Sequence, residues 1–142
     1  MNLLELLARE SIRDTIARYN HAGDAGHYEA MVDCFARDGA LHIVGGEVHC
    51  GHDALRHFFS SVSGLSDRLA QLTVLRHCVT NVLIELTSPT TATSRAYFQV
   101  LTDIGLDHWG SYRDEFTAVG ERWLIAKRSV KTDAYMPNSF FK

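Results

Sequence analysis

Cysteine and proline are scarce in this chain of 142 residues, and long hydrophobic runs are missing. The three cysteines, Cys34, Cys50 and Cys78, are odd in number and widely spaced. This pattern excludes a disulfide framework and predicts a reducing, cytoplasmic location. No apolar run reaches the length of a transmembrane helix. The apolar N-terminus is interrupted by Glu5 and Arg9, which is not typical of a signal peptide.

Excess charge of one sign is also missing. The formal net charge is −3, and no run of Lys and Arg occurs, so the sequence gives no indication of a nucleic-acid partner. Hydrophobic residues make up 46% and charged residues 22%, as is usual for a soluble globular protein. This length can bury a sizeable core, and we expect a single domain over residues 1–142.

The strongest pattern in the chain is the segment 74–86, VLRHCVTNVLIEL, which is rich in β-formers and free of Gly and Pro. Side chains alternate between the two faces of a strand. One face is therefore predicted to carry Leu75, His77, Val79, Asn81 and Leu83. The other is predicted to carry Arg76, Cys78, Thr80, Val82 and Ile84. Both faces are largely apolar, so His77 should point into the protein, where a buried imidazole needs a hydrogen-bond partner.

The remaining segments predict helices first and strands afterwards. Apolar spacing indicates helices over residues 2–22, over Tyr28 to Phe35 and from residue 51 onwards, where Leu55, Phe58, Phe59 and Val62 form the apolar face. Residues 40–50 predict a hairpin that turns at Gly45-Gly46. Further strands are predicted at 92–102, 107–118 and 122–130, with residues 63–73 as a mostly polar connection.

Faces can be assigned to two of these strands. In the strand 92–102, one face carries Arg95, Tyr97, Gln99 and Leu101, and the other carries Ala96, Phe98 and Val100. In the strand 107–118, one face carries His108, Tyr112, Asp114 and Phe116, and the other carries Trp109, Ser111, Arg113 and Glu115.

This order predicts an α+β fold, in which a curved antiparallel sheet forms a cone and three helices cover one face. A pocket between helices and sheet is the natural ligand site. The uncovered sheet face would expose a large apolar surface, formed by Val82 and Ile84 among others and, if the faces of the two strands align, by Ala96, Phe98 and Val100. Back-to-back packing of two sheets would bury it, so we expect a homodimer or a higher oligomer built from it. The apolar tail, TDAYMPNSFFK, is expected either to join that contact or to close the pocket.

Four segments in this order resemble the NTF2-like superfamily, and within it the SnoaL-like branch that includes scytalone dehydratase, lindane dehydrochlorinase and bile acid 7α-dehydratase. They are ARYNHAGDAGHYEAMVDCFARDGAL, GHDALRHFF, RHCVTN and GSYRDEFTAVGERWLIAKR. The resemblance covers nearly the whole chain and implies the same fold and a dimer. It is less specific for a reaction, because one fold hosts enzymes, ligand binders and transport factors.

The resemblance also implies catalytic residues. The positions that match the acid–imidazole pair of the enzyme branch are Asp24 and His77, and a matching acidic tyrosine is Tyr19. The segment ALHIVGG lacks the carboxylate that a ketosteroid isomerase needs. A carboxylate on one ring nitrogen would leave the other free to accept a proton. This implies a lyase or isomerase of dehydratase type, without metal or organic cofactor, acting on a hydrophobic ring-containing molecule.

Candidate substrate-binding residues are Asn81 and the aromatic side chains of Phe58, Phe59, Tyr97, Tyr112 and Phe116. The catalytic candidates also have simpler structural interpretations. A lone buried histidine or tyrosine usually serves packing, and Asp24 between two glycines could be a turn residue. The alternative function is therefore a non-catalytic binding or assembly protein. Arg128 is expected to form a structural ion pair. The spacing of His42, His49 and His52 matches no metal motif, and we expect solvated loop histidines there.

Overall fold

A computed structural model of the chain describes residues 1–62 and 67–142. Its helices are α1 (Leu3–Ala25), α2 (Tyr28–Val32), α3 (His52–Val62) and α4 (Asp67–Ala70). Its strands are β1 (Phe35–Ile43), β2 (Val48–Cys50), β3 (Leu75–Leu86), β4 (Thr91–Thr102), β5 (Gly105–Val119) and β6 (Arg122–Tyr135). No helix in the described part of the chain is long and apolar enough to cross a membrane. The predicted connection 63–73 lies partly outside the described residues, and its second half contains α4.

The six described strands form one curved sheet in the order β2-β1-β6-β5-β4-β3. The predicted α+β fold, with helices on one face of the sheet, is confirmed. One detail differs, because β1 runs parallel to β6 while all the other neighbours are antiparallel. The predicted hairpin is present as β1 and β2, with Ala40 opposite Cys50.

The long helix α1 is defined by caps at both ends. The Asn2 side chain accepts a hydrogen bond from the backbone of Glu5, whose side chain returns to the Asn2 backbone in a capping box. Gly26 ends the helix in the left-handed conformation, at φ 73°. The predicted end at residue 22 is therefore too early, and Asp24 lies in the last turn. Arg9 Nη1 and Thr15 Oγ1 donate to the carbonyls of Ile84 and Trp123, both at 2.6 Å, and fix the helix on the sheet.

The second helix is shorter than predicted. It ends at Val32, and Phe35 begins β1 instead of completing a helical face. The backbone N–H of Ile125 donates to the Cys34 carbonyl at 2.9 Å, which brings this segment into the sheet beside β6. Helical periodicity continues through Phe35 because a buried strand residue and a buried helix residue have the same apolar character.

A β-bulge in β3 changes the predicted faces of this strand. Thr80 pairs with Tyr97 of β4 and Leu83 pairs with Arg95, so β3 has one residue more than β4 between these pairs. Asn81 takes a positive φ of 56°, a conformation that Asn tolerates better than most residues. Beyond the bulge Ile84 is buried and Leu83 is 49% exposed. The prediction that Leu83 shares a face with His77, and Ile84 the opposite face, is wrong.

The faces of β4 are assigned the wrong way round in the sequence prediction. Ala96, Phe98 and Val100 are buried in the interior, while Tyr97 is 57% exposed on the outer face. Alternation alone separates two faces but does not say which one meets the core. The faces of β5 are as predicted, with Tyr112, Asp114 and Phe116 buried and Arg113 and Glu115 exposed.

Gly110 in β5 allows a close approach of the β5 and β6 backbones. A Cβ atom there would lie 1.9 Å from the Lys131 carbonyl oxygen, at a point where the pairing with β6 shifts register. Gly110→Ala should therefore separate these strands and lower the free energy of unfolding by about 3 kcal/mol or more. Urea denaturation measures this loss. Gly46→Ala is the matched control, because its Cβ would meet Ile43 at an ordinary 3.5 Å. Equal midpoints for the two variants would contradict the close approach.

Candidate functional site

A cavity of about 650 Å³ lies between the helices and the inner face of the sheet. This volume is in the range of small-molecule sites. Most of its wall is apolar or aromatic, including Tyr28, Leu41, Ile43, Phe58, Phe59, Val62, Leu75 and Val130. The polar side chains on the wall include Tyr19, Asn20, Asp24, His77, His108 and Tyr112. The site is therefore a hydrophobic chamber with a few fixed polar groups.

Asp24 and His77 meet at the wall of this cavity. The last turn of α1 presents the Asp24 carboxylate to β3, and Oδ1 lies 2.6 Å from His77 Nδ1. The backbone N–H of His77 also donates to both carboxylate oxygens, at 3.2 and 3.0 Å. These donors offset the repulsion between a carboxylate and the negative end of a helix dipole. The sequence hypothesis requires this contact, and the fold provides it between residues that are 53 positions apart.

The hydrogen bond to Asp24 fixes the tautomer of the neutral His77 imidazole. Nδ1 carries the proton that the carboxylate accepts, so Nε2 of neutral His77 holds a free lone pair. Among the described residues Nε2 has no hydrogen-bond partner. The His77 side chain keeps 25% of its exposure and Asp24 15%, so solvent or a ligand can reach the pair. This arrangement can accept a proton at Nε2 and stabilise the resulting imidazolium.

Two buried phenols lie deeper in the cavity wall. Tyr19 packs edge-on against Phe35 and Phe59, with ring centroids 5.9 and 6.0 Å away. Burial raises the pKa of Tyr19 to about 12, although the nearby charge of Arg128 opposes this shift. Burial also raises the pKa of Tyr112, whose hydroxyl donates to Asn20 Oδ1 at 3.3 Å. Both phenols therefore keep their protons at neutral pH and can act as hydrogen-bond donors.

Beneath these phenols, Arg128 of β6 forms the ion pair that the sequence predicts. Its Nε and Nη2 donate to the two Asp114 carboxylate oxygens at 2.9 and 2.8 Å, and both side chains are almost fully buried. The guanidinium also lies over both phenol rings, 4.5 Å from the Tyr19 centroid and 3.9 Å from that of Tyr112. This cation–π stack holds the two rings in place.

Three of the predicted substrate-binding residues line the cavity and three do not. Phe58, Phe59 and Tyr112 are part of its wall. Phe116 is 1% exposed and belongs to the core beneath it, because its place on β5 lies two residues beyond Asp114. Tyr97 points to the outer face, and the bulge turns Asn81 outwards. These last two lie instead at a groove on the outside of the sheet.

The sequence prediction missed a second imidazole–carboxylate pair on the cavity. His108 Nδ1 lies 2.7 Å from Asp107 Oδ1, and His108 is part of the wall. Its position on the same strand face as Tyr112 is the signal that could have identified it. Phe141 of the tail also lines the cavity, 4.8 Å from the His108 ring. Of the two roles expected for the tail, closing the pocket fits this placement.

Two of the three histidines of the hairpin region, His49 and His52, are held by the protein rather than solvated. His52 Nε2 lies 3.0 Å from the Phe35 carbonyl oxygen, and the His49 ring stacks on Phe58 at 4.2 Å. For these two residues the expectation of solvated loop histidines is wrong, because β2 and the start of α3 pack against the body of the fold. Among residues 1–62 and 67–142, no group of three His, Cys, Asp or Glu side chains could hold a metal ion.

Comparison with known families identifies the family of the chain. Residues 4–129 match the SnoaL-like domain. The chain belongs to the SnoaL-like family. The matched range contains Asp24, His77, Asp114 and Arg128. No match was found among curated proteins.

Solved structures similar to this SnoaL-like chain share its fold over most of their length. An Asp-to-Asn variant of a Mycobacterium tuberculosis protein of unknown function is 27% identical, with a TM-score of 0.75 and coverage of 93% of this chain and 75% of that one. An NTF2-like protein with a cystatin-like fold from Novosphingobium aromaticivorans is 23% identical, with a TM-score of 0.78 and coverage of 94% and 87%. A Catenulispora acidiphila protein in complex with S-DNPA is 24% identical, with a TM-score of 0.76 and coverage of 88% and 92%.

These likenesses show an NTF2-like fold, and the family supports a small-molecule-binding protein or a dehydratase-type enzyme in general. A SnoaL-like domain with a largely apolar cavity and few polar groups is suited to small apolar ligands.

The buried ion pair between Arg128 and Asp114 should contribute strongly to the stability of the protein. Asp114→Ala would leave the Arg128 guanidinium uncompensated in the core and should lower the free energy of unfolding by about 3–5 kcal/mol. The urea midpoint measures this loss. Asp14→Ala is the matched control, since Asp14 pairs with Arg18 at the exposed surface of α1 and its loss should change little. A similar effect of both changes would contradict a structural role for Arg128.

Proposed function

We propose that this protein is a cofactor-independent lyase or isomerase of dehydratase type, acting on a hydrophobic ring-containing small molecule through Asp24 and His77. The observation that carries the proposal is the 2.6 Å contact between His77 Nδ1 and Asp24 Oδ1 at the wall of an apolar cavity. The family supports the coarser statement that the cavity binds a small molecule.

In the proposed elimination, His77 Nε2 takes a proton from a carbon next to an electron-withdrawing group. The electron pair of the broken C–H bond forms the new C=C bond, and the hydroxyl on the neighbouring carbon departs with its bonding pair. A protonated phenol on the wall supplies the proton that turns this hydroxyl into water, and Tyr19 is the candidate acid. Asp24 stabilises the imidazolium meanwhile. Proton exchange with solvent then restores both residues. In an isomerisation, the proton returns to a different carbon.

The wall supports an apolar ring as the substrate. The rings of Tyr19, Phe58 and Phe59 pack at centroid distances of 5.7–6.0 Å and form a continuous aromatic surface beside the polar groups. Such surfaces favour offset or edge-on packing with a further ring. The free thiols of the three cysteines fit the reducing, cytoplasmic location that the sequence predicts.

Substitution of the pair tests catalysis. In a screen of ring alcohols and enones, His77→Gln and Asp24→Asn should lower kcat by roughly 10²–10⁴-fold, because general-base help is lost. Ligand affinity should change much less. His57→Gln, on the exposed side of α3, is the matched control and should retain full turnover. Binding that persists in His77→Ala, with no product in any wild-type reaction, would instead support the alternative of a non-catalytic binding protein.

We also propose that the protein forms a homodimer through the outer face of the sheet, with corrected contact residues. Leu83, Tyr97, Leu101 and Leu106 are 38–57% exposed on this face. Arg95 lies directly opposite Arg113, and like charges in this position repel each other. Thr93, two residues along β4, pairs with both Glu85 and Glu115. A two-fold axis could place the arginine row of one protomer against the glutamate row of its partner.

Leu83→Glu tests this interface. It should shift the protein from dimer to monomer in sedimentation velocity at micromolar concentration, because a carboxylate would be buried at the contact. Val48→Glu is the matched control, since Val48 is 58% exposed on the distant hairpin. An unchanged sedimentation coefficient for Leu83→Glu, or a monomeric wild type, would refute the proposal.

A further inference from the structure

A second cavity, here called the outer groove, lies on the side of the sheet that faces away from the helices and has a volume of about 510 Å³. The strand register places Arg95 of β4 directly opposite Arg113 of β5. Two residues along the same face, Tyr97 lies opposite Ser111. All four residues line the outer groove, which therefore brings two guanidinium groups and two hydroxyl groups together.

The two arginines of the outer groove have no acidic partner in the part of the chain that the structure describes. Neither Arg95 nor Arg113 forms an ion pair or a side-chain hydrogen bond there. Arg128, on the neighbouring strand, is by contrast bound by both oxygens of Asp114 on the inner face. Like charges directly opposite each other on a sheet repel and destabilise it. An anion bound between the two guanidinium groups would remove this repulsion.

The surroundings of the arginine pair keep this region positive, although the formal net charge of the chain is −3. Lys131 of β6 pairs with Ser111 and adds a third cation to the same outer face. Glu115 lies two residues from Arg113, but it is outside the groove and opposite Lys127, which offsets its charge. A cluster of cations in a concave surface attracts anions and raises their local concentration.

The β-bulge in β3 forms one edge of the outer groove. Asn81 takes its positive φ of 56° there, and its side-chain amide is a further donor on the groove wall. Bulges re-aim side chains and often lie next to active sites. Beyond the bulge, Leu83 is 49% exposed and also lines the groove. The groove thus has polar donors on one part of its wall and an apolar surface beside them.

We propose that the outer groove binds the phosphate group of a small organic phosphate, with Arg95 and Arg113 as its main ligands. Guanidinium forks match phosphate oxygens and form strong, often bidentate, charge-assisted hydrogen bonds. Two facing forks can share the oxygens of one phosphate, and the hydroxyls of Tyr97 and Ser111 can donate to the remaining ones. The groove is much larger than one phosphate group, so the apolar body of the ligand has room to pack on Leu83. This inference is independent of the lyase or isomerase activity proposed above.

The homodimer proposed above uses the same face, so the partner and the organic phosphate compete for it. In that dimer the arginine row meets the glutamate row of the partner. A phosphate between Arg95 and Arg113 would take the place of those carboxylates. A ligand that binds only one form shifts the equilibrium towards that form. The organic phosphate should therefore favour the monomer.

Isothermal titration calorimetry with phenyl phosphate, in a buffer without phosphate, tests the site. Arg95→Gln and Arg113→Gln should each weaken binding by at least about tenfold, because each removes one guanidinium from the phosphate. Arg13→Gln is the matched control, since Arg13 is exposed on α1 and its loss changes the net charge equally. This variant should bind as the wild type does. Inorganic phosphate should bind more weakly than phenyl phosphate, because it has no ring to pack on Leu83.

Urea denaturation separates an effect on binding from an effect on folding. Without ligand, Arg95→Gln should keep or raise the urea midpoint, since it removes the repulsion from Arg113. Saturating phenyl phosphate should raise the midpoints of the wild type and of Arg13→Gln, but not that of Arg95→Gln. In sedimentation velocity, the same ligand should raise the monomer fraction of the wild type.

Three results would overturn the inference. They are equal affinities of Arg95→Gln and Arg13→Gln for phenyl phosphate, an affinity for phenyl phosphate no higher than that for inorganic phosphate, and no binding by the wild type. A wild type that is monomeric in ligand-free buffer, or a dimer that survives saturation with phenyl phosphate, would count only against the proposed homodimer.

Discussion

The ion pair between Arg128 and Asp114 is the interaction on which the cavity depends. Moving a guanidinium into the core costs several kcal/mol, and this cost is offset only by close partners. The bidentate carboxylate supplies one partner, and the rings of Tyr19 and Tyr112 supply two more at 3.9–4.5 Å. Because these four residues come from α1, β5 and β6, one buried charge fixes the helix against the sheet.

The same interaction sets the chemistry of the wall. Packing against one cation keeps two phenols side by side, and burial keeps both protonated. The cation adds to the packing of Tyr19 on Phe35 and Phe59 and to the hydrogen bond from Tyr112 to Asn20. One turn beyond Tyr19, Asp24 reaches β3 in the last turn of α1. The anchoring of the helix at Tyr19 therefore helps to hold Asp24 against His77, the candidate base on β3.

The sequence predicts the class of fold and the Asp24–His77 contact, but it does not predict how β3 is divided between the two faces. The contact can be predicted because a resemblance over nearly the whole chain indicates which distant residues meet, and local patterns do not. The bulge at Asn81 leaves only a weak trace, since Asn tolerates a positive φ but is also common in regular backbone. One extra residue then exchanges the faces of Leu83 and Ile84. The inner face of β4 is mispredicted for a related reason. The alternation of its side chains is clear, but which face meets the core depends on the neighbouring strand.

Environment distinguishes the two imidazole–carboxylate pairs that share the cavity. The Asp24–His77 pair keeps 15% and 25% of its side-chain exposure, and within residues 1–62 and 67–142 its carboxylate accepts bonds from His77 alone. The Asp107–His108 pair has 0% and 9%, and its carboxylate accepts four hydrogen bonds, from His108, from β4 and from the apolar tail. A group that must exchange protons with a ligand needs access and few competing donors, which suits His77. A carboxylate with four donors resists any change of charge, because protonation would weaken every bond at once. Two pairs of the same composition are thereby suited to different tasks, proton transfer at one and attachment of the chain at the other.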